Sequence, residues 1–216
     1  MSDALAERAA LKDRVLEAAL LHAAFDGWSR RTLANAAHDA GIDAATARRL
    51  FPRGGDSLLA WLDDWADRRM LAAVDGQDLE RLPVRRRIAL LVRARLEPLA
   101  SHREAVRRAV AAHGLPANVA GTGSSLWRTV DLMWRTAGLG GSPAEGFAYY
   151  SRRATLAGVL TATLLCWLGD QSENSAATWA FLDRRIEDVM RIGRLRSRID
   201  GWAARFTGAR PSAAGG

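Results

Sequence analysis

Trp28-Ser-Arg-Arg-Thr-Leu-Ala-Asn-Ala-Ala-His-Asp-Ala-Gly-Ile-Asp43, continued through Leu50-Phe-Pro-Arg53, is the stretch on which the fold turns. Ser29 predicts the N-cap of a helix carrying Leu33, Ala36, Ala37 and Ala40, because a short hydroxyl side chain accepts from the unpaired N–H groups of a first turn. Gly41 ends that helix, since glycine takes the left-handed conformation that closes helices at little cost. Asp43 predicts a second cap, for a short helix from Ala44 to Leu50, and Pro52-Arg-Gly-Gly55 then breaks the chain. Upstream, Leu5 to Phe25 reads as a helix with Val15, Leu16, Ala19, Leu20 and Ala23 at helical spacing and Gly27 as its stop. Downstream, Leu58, Leu59, Trp61, Leu62 and Trp65 mark a fourth helix. Two short helices about a glycine turn, with a supporting helix on either side, form a helix-turn-helix layout.

The rest of the chain also reads as helical, in segments from Val84 to Ala100, Arg103 to Gly114, Leu126 to Ala137, Tyr149 to Leu168, Ser175 to Ile192 and Arg194 to Phe206. Loops are expected at Ala120-Gly-Thr-Gly-Ser and Gly138-Leu-Gly-Gly-Ser-Pro. No alternating strand pattern and no internal repeat occurs. The fold class is therefore all-α: a head over residues 1–76, a larger helical body over 77–189, an amphipathic helix over 190–206 and a disordered tail over 207–216.

A length of 216 residues with 49% hydrophobic and 25% charged side chains excludes a disordered or collagen-like chain. The single cysteine, Cys166, excludes an intramolecular disulfide framework. The apolar run Ala154–Gly169 falls short of the ~20 residues that span a bilayer. Charges near the amino terminus, in Met1-Ser-Asp-Ala-Leu-Ala-Glu-Arg8, predict a cytoplasmic protein without a signal peptide. The net charge of +7 is unevenly placed: residues 1–76 are net −2, whereas 190–216 are net +5.

Catalytic chemistry is hard to assemble from these residues. His22, His38, His102 and His113 lie on different segments, and none has a spacing that sets two metal ligands on one helical face. No nucleophile elbow, Walker loop or dinucleotide fingerprint occurs. Pro52-Arg-Gly-Gly follows a helix rather than a strand, so it reads as an interhelical turn and not as a phosphate cradle. Cys166 sits in the apolar run and reads as an inert core thiol. No enzyme, metal or cofactor is expected.

Residues 28 to 53 resemble the TetR family of repressors. A DNA reader needs side chains that reach base edges and a basic surround. Ala44, Ala45, Thr46, Ala47, Arg48 and Arg49 supply only three candidates, and the net charge of the head opposes phosphate binding. A regulator that senses an apolar ligand is the alternative reading of the chain.

Four further stretches point elsewhere: Leu126-Trp-Arg-Thr-Val-Asp-Leu-Met-Trp134, Tyr149-Tyr-Ser-Arg-Arg-Ala-Thr-Leu-Ala-Gly-Val-Leu160, Leu168-Gly-Asp-Gln-Ser172 and Thr178-Trp-Ala-Phe-Leu-Asp-Arg-Arg-Ile-Glu-Asp-Val-Met190. With Phe51-Pro-Arg-Gly54 they resemble the Coq-nine family, the lipid-binding accessory proteins of ubiquinone biosynthesis, over roughly residues 10 to 206. The resemblance implies a TetR-like fold, a homodimer, no nucleic acid, and binding of an isoprenoid lipid or quinone precursor. It also implies presentation of that lipid to a di-iron hydroxylase.

Three apolar faces suit such a ligand. Leu126, Trp127, Val130, Met133, Trp134 and Ala137 form one; Leu156, Val159, Leu160, Thr163, Leu164 and Trp167 a second; Trp179, Leu182, Ile186 and Val189 a third. A packed helical core has the same pattern, and spacing does not separate a filled core from a hollow one. Asp131 lies on the face of Trp127 and Trp134, where a solvated carboxylate is not expected, and Arg153 is its predicted partner at a rim. The resemblance carries a partner-binding patch onto Asp131, Trp134, Tyr149, Tyr150 and Arg153, with Tyr150 also among the lipid contacts. The family often has Trp-Tyr-Thr where this chain has Tyr149-Tyr-Ser151, and the preceding loop lacks the acidic character common in relatives.

Finally, Ile192, Leu195, Ile199, Trp202 and Phe206 recur at intervals of three and four, with Arg194 and Arg198 among the arginines on the other faces. That pattern fits an interfacial helix on an anionic membrane surface, a seam packed on the body or a dimer mate, or a nucleic-acid arm. The resemblance favours the membrane, which places the protein peripherally on the inner face of the cytoplasmic membrane.

Overall fold

The computed structural model describes the backbone of residues 2–113 and 119–207, and the side chains of 3–112 and 123–191. Among the described residues there are only helices: α1 (Ser2–Asp26), α2 (Arg30–Asp39), α3 (Ala44–Leu50), α4 (Gly55–Val74), α5 (Val84–Leu96), α6 (Arg103–His113), α7 (Val119–Thr136), α8 (Phe147–Gly169) and α9 (Ala176–Thr207). Short 3-10 turns join several of them.

The helix-turn-helix forms as its caps dictate. The Ser29 hydroxyl accepts from Thr32 N, and the Asp43 carboxylate accepts from Ala45 N and Thr46 N. Gly41 sits at φ +67, which an L side chain rarely adopts. A second glycine is fixed by contact: a Cβ on Gly55 would lie 2.2 Å from the Trp28 carbonyl oxygen. That approach lets α4 begin directly beneath α2. The Trp28 indole donates to Ala105 O at 2.9 Å and so ties the head to α6.

Two apolar cores stand back to back on α1 and α4. Val15, Ala19 and Leu58 face the small core with Leu33, Ala36, Ala37, Ala47, Leu50 and Phe51. Leu16, Leu20, Leu59, Leu62 and Trp65 face the large core built with α5 to α9. Both supporting helices of the head are thus also walls of the body.

Three expected boundaries are corrected. The loop read at Ala120-Gly-Thr-Gly-Ser is helical, because α7 begins at Val119. The separate helices expected on either side of Gly193 are one 32-residue helix, α9. A glycine costs a helix interior only ~1 kcal/mol, which the flanking helix formers offset in both cases. The helix expected from Val84 to Ala100 changes to a 3-10 turn at Glu97–His102, where Pro98 withholds its N–H. α9 is described as far as Thr207, and residues 208–216, expected as a disordered tail, lie outside the described residues. Among the described residues no helix is long and apolar enough to cross a membrane.

Candidate functional site

A cleft of about 630 Å³ opens between α5, α8 and α9, with Trp134 of α7 on one side. Its floor is apolar: Ile88, Leu156, Val159 and Ile186 are all buried residues of the large core that present one edge to the cleft. The rim is apolar too, with Val84 40%, Phe147 73% and Met190 36% exposed. Exposed large apolar side chains around a groove mark a binding surface. Two arginines, Arg85 and Arg152, complete the lining, with Ser151 and Thr155 as its hydroxyl groups.

Of the predicted lipid contacts, Trp134, Leu156, Val159 and Ile186 border this cleft. Val130, Met133, Leu160, Trp167, Trp179 and Leu182 pack into the filled large core, each at most 8% exposed. Thr163 is buried beside them and spends its hydroxyl on Val159 O at 2.7 Å. Leu126 and Leu164 pack against the edge of that core. The α5 contribution, Val84, Arg85 and Ile88, was not legible in the sequence, because its alternate arginines hide the short apolar edge. Phe147 could have been found, as a large apolar residue opening a helix directly after Gly146.

Beside the cleft lies a cluster built on Asp131. Arg153 Nε donates to Asp131 Oδ1 at 2.8 Å, the Tyr149 hydroxyl donates to the same oxygen at 3.3 Å, and Arg135 pairs with Oδ2 at 2.9 Å. Burial works against ionisation of Asp131, yet the hydrogen bond from Arg153 and the charge of Arg135 outweigh it and hold its pKa below the ordinary carboxylate value. The Arg153 guanidinium lies over the Tyr149 ring, 3.5 Å from its centroid, and 5.7 Å from that of Trp134. Tyr149 meets Tyr150 edge to face, and Tyr150 stacks on Trp127 with centroids 5.8 Å apart.

The predicted partner of Asp131 is thus in place, but not at a rim. Arg153 is 2% exposed, so it lies beneath the patch as a support and is not itself a contact surface. Tyr150, at 51% exposed, is the part that faces outward. Neither Tyr150 nor Trp127 borders the cleft; both belong to the aromatic cluster.

The Leu168-Gly-Asp-Gln-Ser motif proves to be a turn. Asp170 accepts from Ser172 N and Oγ and from Thr178 N and Oγ1 at 2.5–2.8 Å, which holds its carboxyl far below the usual range and fixes how α9 leaves α8. Arg103 donates to Asp170 O and, at 2.5 Å, to Ser175 Oγ. The turn therefore sets the angle of the cleft's two long walls.

A further cluster escaped the sequence reading. Arg95 of α5 bridges Asp67 at 2.7 Å and Asp63 at 3.2 Å on α4, while Ser125 and Thr129 of α7 donate to the same two carboxylates at 2.5 and 2.8 Å. Its signal was an arginine on the otherwise apolar face of Ile88, Leu91, Val92 and Leu96. The predicted membrane contacts Ile192, Arg194, Leu195, Arg198, Ile199, Trp202 and Phe206 lie on helical backbone of α9, but their side chains are outside the described residues. Among the described residues no group of three or more His, Cys, Asp or Glu is placed to hold a metal ion.

Residues 119–193 match the COQ9 family model. The ubiquinone biosynthesis protein COQ9, mitochondrial, of Rattus norvegicus is 30% identical over 195 residues, 88% of this chain and 62% of that protein. The chain is similar to COQ9 proteins over most of its length. The protein of the same name from Homo sapiens is 29% identical over 195 residues, 88% of this chain and 60% of that protein. The chain thus spans about three fifths of the length of these COQ9 relatives. The solved structure of a TetR transcriptional regulator from Nitrosomonas europaea ATCC 19718 superposes with a TM-score of 0.67 and 25% identity, covering 82% of this chain and 95% of that one. The fold is TetR-like. The COQ9 match holds α7, α8 and α9 as far as residue 193, hence Trp134, Phe147, Arg152, the Asp131 cluster and Met190, while α5 supplies the remaining wall of the cleft.

Proposed function

We propose that this chain is a non-catalytic accessory protein of ubiquinone biosynthesis that holds an isoprenoid lipid or quinone precursor in the α5–α8–α9 cleft. The observation that carries this reading is an apolar cleft of about 630 Å³ with an apolar rim, a size suited to one lipid chain. Met190 stands on its wall at the start of the arginine-rich amphipathic part of α9, so a lipid leaving the membrane surface would meet the cleft at its mouth. In this reading residues 190–206 rest on the inner face of the cytoplasmic membrane. Two copies form a dimer, and the Tyr149–Tyr150 surface, braced by Asp131 and Arg153, receives a di-iron hydroxylase.

Native mass spectrometry of the detergent-free protein, followed by lipid extraction, tests the proposal. A polyprenyl quinone or a precursor carried by a dimer is the expected result. A lipid-free protein that retards its own upstream DNA would overturn it.

That second outcome is the regulator reading, and one observation favours it. Both caps of the helix-turn-helix are formed, and Arg48 and Arg49 are exposed on α3. A regulator loses DNA binding when both arginines are replaced, and its affinity falls steeply with salt. An accessory protein shows neither effect.

A further inference from the structure

The cleft carries charge of one sign. Its ionisable lining residues are Arg85, in the first turn of α5, and Arg152, in the second turn of α8; the remaining lining residues are apolar or bear a hydroxyl. Arg85 is exposed and makes no hydrogen bond or ion pair among the described residues. Its neighbour Arg87, by contrast, is fully engaged with the carbonyl oxygens of Leu82, Ala137 and Glu80. Arg152 reaches Glu145 Oε2 at 3.4 Å, a half-exposed contact. The other oxygen of Glu145 accepts from Ser142 N at 3.0 Å as part of a capping box, so that carboxylate is held by its own turn.

A chain that bound only neutral apolar ligands would gain nothing from two under-committed guanidinium groups at the mouth. An anionic head gains charge-assisted hydrogen bonds there, and the planar guanidinium fork matches a carboxylate or a phosphate. Both arginines also stand near helix starts, where aligned peptide dipoles add partial positive charge. We propose that the cleft selects a single-chain isoprenoid amphiphile with an anionic head, a carboxylate or a phosphate monoester. Its chain lies on Ile88, Leu156, Val159 and Ile186, and its head is held by Arg85 and Arg152. This inference rests on the reading of the cleft as a lipid site and adds the class of head group.

Displacement of the neutral dye Nile red from the full chain tests it, with geranylgeranoic acid, geranylgeranyl monophosphate and geranylgeraniol as competitors. The acid or the phosphate is expected to displace the dye at about tenfold lower concentration than the alcohol. Whichever of the two is stronger identifies the head group. The Arg85→Gln/Arg152→Gln protein is expected to bring acid and alcohol within about twofold of each other. On the unmodified chain, added salt is expected to narrow the same gap, a readout that needs no variant. Displacement by neither the acid nor the phosphate at lower concentration than the alcohol on the unmodified chain, or an anion preference that survives both substitutions, overturns the inference and leaves the lipid site standing. Failure of the dye and all three competitors to bind removes the lipid site and the inference together.

Discussion

Two aspartate–arginine clusters sit on α7 within a few turns of each other, and their stoichiometries are opposite. At Ser125 and Thr129, two carboxylates from α4 share the guanidinium of Arg95, and the hydroxyls of α7 satisfy the remaining oxygen positions. At Asp131, one carboxylate is shared by two arginines, and the rest of the cluster is aromatic. The first cluster joins the head helix α4 to the body, with Arg95 buried and its two carboxylates partly buried. The second opens outward through Tyr149 and Tyr150. The difference teaches that a buried ion pair alone does not decide whether a cluster reaches the surface; what surrounds it does. Hydroxyl partners close a network, whereas stacked aromatic rings extend it to the solvent.

The largest expected effect is on the Arg95 cluster. Arg95→Leu leaves two partly buried carboxylates facing each other without their shared cation, and the loss should be about 3 kcal/mol in chemical unfolding. A loss below ~1 kcal/mol would mean that water reaches the network and that it does not join head to body. Arg153→Leu is expected to cost less, about 1–3 kcal/mol, because Asp131 keeps Arg135. A double-mutant cycle with Asp131→Asn should show coupling between the two positions; additive losses would deny the 2.8 Å contact its energetic role.

Acid should separate the groups further. The folded-state pKa values of Asp131 and Asp170 are both lowered, the second by hydrogen bonds from Ser172 and Thr178. A carboxyl that is more acidic when folded adds stability that is fully present above its unfolded value near ~3.9 and is lost as pH falls below it. Thermal midpoints recorded from pH 7 to pH 2 should therefore fall below about pH 4. Asp170→Asn should flatten part of that fall, since it removes the more strongly shifted group. The smallest effect on stability belongs to Tyr150→Ala, at most about 1 kcal/mol for a half-exposed stacked ring. Its expected consequence is lost quinone output in cells, and normal output would remove Tyr150 from the proposed partner surface.

Much of this could be read along the chain. Ser29 and Asp43 announced two helix starts, because a cap is a contact between residues two or three apart. Gly41 announced the turn between them, since its left-handed backbone is a local property. Asp131 was conspicuous as a charge on an apolar face, and Arg153 was its predicted partner from the next helix. Arg95 offered the same kind of signal on α5. Its partners, however, are Asp67 and Asp63, 28 and 32 residues earlier on α4, so periodicity along one helix could not name them.

The sequence by itself determined an all-α chain, the capped helix-turn-helix, the apolar stripes of α7, α8 and α9, and the arginine-rich periodicity after Met190. Each of these follows from contacts within one or two turns. Only the tertiary structure decided which stripe residues fill a core and which border a cleft. Val159 and Leu160 are adjacent and equally apolar, yet one borders the cleft and the other is packed behind it. That division depends on the angle at which α9 leaves α8 and on how close α5 approaches both. The Asp170 turn and the Arg95 network help set these quantities, and both act across distances that no local pattern records.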